Sequence, residues 1–91
     1  MNRDRRKRLR QAKADLEEAT RIVGSVKGSL ENIKEAEEEV VSNTPENLQN
    51  RDAYSIAENA VDSLDDACTS LDDAVNSIGE AIGKIEEVDG V

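Results

Sequence analysis

From Ala53 to Val88 one seven-residue pattern is repeated five times, and this repeat constrains the fold more than anything else in the chain. With Tyr54, Val61, Cys68, Val75 and Ile82 as position a, and Ala57, Leu64, Leu71, Ile78 and Ile85 as d, an alanine stands at every g: Ala53, Ala60, Ala67, Ala74 and Ala81. Apolar residues at this 3-4 spacing share one side of an α-helix and would alternate uselessly on a strand. A two-stranded seam needs only a and d. A stripe widened by a line of small residues predicts contact with more than one neighbouring helix.

The rest of the composition agrees with an all-α chain. Pro45 is the only proline and Tyr54 the only aromatic residue, and there is no Trp, Phe or His, so a conventional aromatic core is excluded. Ninety-one residues make one domain, here residues 1–91, with a modest buried fraction that self-association would enlarge. No apolar run is long enough for a membrane span or a signal-peptide core. Cys68 is alone, so no intrachain disulfide forms, and a reducing cytoplasm is the expected compartment.

A first helix is predicted over about residues 5–42, where the 3-4 spacing runs through Leu9, Ala12, Leu16, Ala19, Val23, Val26, Leu30 and Ile33, skips at Glu37 and resumes at Val40. It would be roughly 50 Å long, matching a second helix over about 51–88. In the connection, 43–50, Asn43 stops the first helix, Thr44 caps a short turn with Pro45 at its first position, Leu48 folds back over the apex, and Asn50 or Asp52 starts the second helix. The expected architecture is an antiparallel two-helix hairpin that assembles into a multi-chain helical bundle.

A turn centred near Asn47 sets Val40 level with Tyr54, Ile33 with Val61, Val26 with Cys68, Leu16 with Ile78 and Leu9 with Ile85. The same register brings Arg6 near Glu86, Lys27 near Asp65 and Lys34 near Glu58, three complementary pairs that favour it over a one-heptad slip. On the other flank the alanine line faces Asp15, Ile22, Ser29 and Ala36. This small, mostly uncharged flank is the expected oligomer interface, with Ala60, Ala67, Ala74, Ala81 and Ile22 as its residues.

Catalysis is not expected. Without histidine, and with Cys68 turned into the seam, no nucleophile has a base, and the Glu-x-x-His motif of di-metal bundles is absent. No cofactor or metal is implied. Asp62, Asp65, Asp66, Asp72 and Asp73 form a solvated acidic face. Glu37 stands at an a position opposite Ala57, within possible reach of Arg51 or the Tyr54 hydroxyl. Gly24, Gly28, Gly79 and Gly83 cost helix stability and leave two readings open, close approach of another helix or ligand, or a tolerated surface.

The formal charge of −9 is unevenly spread: residues 1–13 hold seven Arg/Lys against Asp4, a local +6, so the remainder carries −15. Arg3, Arg5, Arg6, Arg8, Arg10 and Lys13 can be read as an anion grip, since guanidinium groups bind phosphate bidentately and an oligomer would multiply them. They can also be read as counter-charges for Glu80, Glu86, Glu87 and Asp89, which the hairpin would lay beside them. Duplex DNA is a poor partner for a chain otherwise so acidic and without stacking aromatics.

The segment Asn43-Thr44-Pro45-Glu46-Asn47-Leu48-Gln49-Asn50, followed by Ala60-Val61-Asp62-Ser63-Leu64-Asp65-Asp66-Ala67, resembles a group of small acidic helical-hairpin proteins of phages and prophages of Gram-positive bacteria. The resemblance implies a non-catalytic counter-defence or host-takeover protein acting in the cytoplasm of an infected or lysogenic bacterium. Three functions are then open. The first is an oligomer that sequesters a phosphate-bearing small molecule such as a nucleotide immune signal. The second is an acidic, nucleic-acid-mimicking inhibitor that binds a basic host defence protein. The third is a purely structural oligomer.

Overall fold

The computed structural model describes residues 1–88. It is all-helical: α1 spans Arg3–Asn43, a single 3-10 turn spans Glu46–Leu48, and α2 spans Asp52–Glu86. Two compact units divide it, one made of Met1–Ser25 with Leu71–Val91 and the other of Val26–Ser70.

The Val26–Ser70 unit is a helical hairpin closed by the turn. Thr44 does not cap the short turn as expected. Its hydroxyl instead donates back to the Val40 carbonyl, which ends α1, and Pro45 precedes the 3-10 turn without a side-chain cap. The Leu48 N–H then donates to the Pro45 carbonyl at 2.8 Å and the Arg51 N–H to the Leu48 carbonyl at 3.2 Å. These bonds satisfy backbone groups that helix ends leave open, and Leu48 is half-buried at the apex.

On α2 the seam is the predicted one. Ala57 and Cys68 are buried, at 2% and 8% exposure, and Tyr54, Val61 and Leu64 are half-buried between and beside them. On α1 the seam is rotated from the expected line. Val26, Ile33 and Val40 remain 46–50% exposed, whereas Lys27, Leu30, Lys34, Glu37 and Val41 line the contact. Lysine tolerates such a position because its aliphatic stem covers the seam while the ammonium reaches out. Here the Lys27 head meets Glu31 at 3.5 Å and the Lys34 head meets Asp65 at 2.9 Å.

That last pair differs from the expected one. Lys34 joins Asp65 rather than Glu58, so its interhelical partner is one heptad from the expected one. The reason lies in side-chain direction. Each Cα–Cβ bond leans toward the N-terminus of its own helix, so Lys34 leans away from the turn while Asp65 leans toward it. Two residues that start roughly 6 Å apart along the axis therefore meet, whereas the Lys34 and Glu58 side chains lean apart.

In the other unit Leu9, Ala12, Leu16, Ala19 and Val23 of α1 are half-buried, as their spacing predicts, and so are Leu71, Val75, Ile78, Ile82 and Ile85 of α2. The same lean joins Lys13 to Glu86 at 3.5 Å in place of the expected Arg6–Glu86 pair. No large side chain among the described residues is fully buried. Each pair of helices thus covers only one side of its partner.

Candidate functional site

The start of α1 is built by Asn2. Its side-chain oxygen accepts the Arg5 N–H at 2.9 Å and its carbonyl accepts the Arg6 N–H at 3.2 Å, so the helix begins at Arg3 with an N-cap in place. The remaining open N–H groups and the positive end of the helix dipole favour an anion at this end. Around it Arg3, Arg5, Arg8 and Arg10 are exposed. Arg5 and Arg8, one turn apart, line an open depression of about 380 Å³ with Met1 and Leu9. Arg6 is half-buried against its own unit, and its Nε is shut off from water without a hydrogen-bond partner among the described residues.

The acidic end of α2 does not take these arginines. Glu86 goes to Lys13 and Glu87 to Lys84, both at 3.5 Å. Among the described residues, none of Arg3, Arg5, Arg6, Arg8 and Arg10 forms an ion pair. Glu80, also expected to serve them, is exposed, and Asp89, the fourth, lies outside the described residues. Of the six basic candidates Lys13 alone has a carboxylate partner in the structure, so it is a weaker candidate for a ligand contact than the arginines.

Asp62, Asp65, Asp66, Asp72 and Asp73 are all exposed on α2, but Asp65 is occupied by Lys34. This partner and, less so, Glu38 hold the Lys34 ammonium above its ordinary pKa. Glu38, Glu58 and Asp62 border a second open depression of about 280 Å³ near the turn. Among the described residues no group of three His, Cys, Asp or Glu is placed to hold a metal ion. Glu37 is half-buried, and neither Arg51 nor the Tyr54 hydroxyl reaches it; Tyr54 is instead beside Glu58, and burial, then that carboxylate, push its phenol pKa up. Glu18 is held below the usual carboxylate range by Arg21, one turn on.

Of the expected interface residues, Ala60, Ala67 and Ala74 are half-buried beside the seam, and Ala81 and Ile22 are exposed. Sequence reasoning missed Val26, Ile33, Val40 and Ile56 as surface residues, because it placed the first three in the seam. The signal was present in Lys27 and Lys34, seven residues apart and each adjacent to one of these apolar positions. Among the described residues no helix is long and apolar enough to cross a membrane. Comparison with protein-family models, curated proteins and solved structures gives no match.

Proposed function

We propose that the protein is a non-catalytic binding protein whose arginine-rich helix start holds a phosphate-bearing small molecule, and that several chains assemble into a helical bundle to sequester it. The observation that carries this reading is the absence, among the described residues, of carboxylate partners for Arg3, Arg5, Arg6, Arg8 and Arg10, while Glu86 and Glu87 are engaged by lysines. An arginine cluster left unneutralised at a capped helix N-terminus suits phosphate oxygens, which accept two N–H bonds from one guanidinium and profit from the dipole. The resemblance of the turn and acidic heptads to phage hairpin proteins supports a nucleotide immune signal as the ligand and the cytoplasm of an infected bacterium as the setting. The exposed Asp62, Asp66 and Asp73 favour a second reading, an acidic surface that imitates nucleic acid toward a basic host protein.

Replacing Arg5, Arg6 and Arg8 together by Ala separates the two. Each guanidinium–phosphate bond lost removes about 1.5–3 kcal/mol of binding. In thermal unfolding with a cyclic dinucleotide, and separately with inorganic pyrophosphate, the wild type should be stabilised by about 2.7 kcal/mol at 100 times the dissociation constant. The triple variant should keep its helicity and lose that stabilisation. A triple variant stabilised as much as the wild type, or a wild type indifferent to both probes, would overturn the phosphate reading.

A further inference from the structure

The Val26–Ser70 unit has two unlike faces. One carries the ion pairs of Lys27 with Glu31 and of Lys34 with Glu38 and Asp65. About a quarter-turn from the seam in the other direction, helical periodicity places Val26, Ser29, Ile33, Ala36 and Val40 of α1 on one face. Beside them on the same face it places Ile56, Ala60, Ser63, Ala67 and Ser70 of α2. None of these residues is charged, in a chain of which 36% is. Ile33 is 50% exposed and Ile56 67%, with Val26 and Val40 close to the former value. The patch is about 20 Å long and two helices wide, roughly 400 Å², within the range of the largest apolar patch on an ordinary monomer, which is often functional.

We infer that a second copy of the chain docks on this face, the α1 of each copy seated on the α2 of the other, with the two α1 helices running in the same direction. This refines the assembly proposed above and rests on it. Three observations select a second copy as the occupant. The first is shape: α1 offers a ridge of β-branched side chains, Val26, Ile33 and Val40, and α2 from Ala60 to Ser70 offers a groove of alanine and serine, so the face complements itself. A two-fold axis parallel to the helices sets ridge into groove twice, whereas a two-fold across them sets ridge against ridge. The second is charge. Two chains of net charge −9 repel each other, and this face has no carboxylate to oppose another copy. The third is need, because Ala57 and Cys68 are the only buried apolar residues described, and a core so thin requires a partner that is always present. In this arrangement Ile33 lies between Ser63 and Ala67 of the partner copy, and Val40 between its Ile56 and Ala60.

Disulfide trapping tests the arrangement. On a Cys68→Ala background, chains carrying Ile33→Cys and differently tagged chains carrying Ser63→Cys are mixed, refolded and oxidised, with a Val40→Cys and Ile56→Cys pair as an independent repeat. The mixed disulfide should be the main product in each pair, since the bond needs Cα atoms within about 7 Å. A main product joining Ile33→Cys to itself overturns the inference, as does a protein that elutes as a multimer without a mixed disulfide in either pair. Those outcomes leave self-assembly standing. Elution of the unmodified wild type as a folded monomer overturns the inference and the assembly reading together.

Discussion

At Gly24, Gly28, Gly79 and Gly83 an added Cβ would meet nothing within 4 Å. None of the four is therefore required by the packing of its own chain, and each carries the helix cost of glycine without a visible return. Gly24→Ala and Gly79→Ala should each stabilise the fold by about 0.8–1 kcal/mol, read as an increase in the urea midpoint with unchanged slope. A loss of stability that depends on protein concentration would instead place a neighbouring chain against that glycine. Tyr54, as the only tyrosine, permits a second test without mutation. Burial and Glu58 raise its pKa above the ordinary 10.0, and Asp65 raises that of Lys34 above 10.5. For both groups the folded value exceeds the unfolded one, so their contribution is complete below the unfolded pKa and is lost as pH rises through the folded pKa. Absorbance titration should place phenolate formation above pH 10.0, and Lys34→Met should flatten the fall in the urea midpoint above pH 10.5. A phenol that ionises at or below its ordinary value would contradict the packing drawn around Tyr54.

Between the helices the most buried of the described residues is Ala57, 2% exposed and close to the turn. Enlarging it in Ala57→Leu forces α1 and α2 apart where the turn allows least movement, and should cost about 1–3 kcal/mol in chemical unfolding. The same change at Ala53, which is exposed, should have little effect, and equal costs at the two positions would show that the seam has been misplaced. The heptads of α2 and the Leu9–Val23 stretch of α1 were legible in the sequence because every a and d residue there is apolar or small. The Val26–Val40 stretch was not, since it holds two candidate seams one residue apart and a lysine stem covers a seam almost as well as valine. The cross-helix partners were illegible for a different reason, because the charge pairs had been matched by level, without the lean of the side chains toward each helix start. The arginine cluster could be seen in the sequence, but its lack of partners among the described residues could not, because that depends on which residue Glu86 meets.

Across the molecule, these details describe helices covered on one side only. The described residues bury no large side chain fully, leave Ile22, Val26, Ile33, Val40 and Ile56 in water, and segregate charge to the opposite side of the Val26–Ser70 unit. On the proposed reading another chain completes the fold, and copies of itself would also bring more than one arginine-rich helix start to a shared ligand. Sedimentation equilibrium of the unmodified protein at micromolar concentration tests this most directly. The account predicts a folded species of at least two chains, and a folded species at the single-chain mass of 9.9 kDa would contradict it.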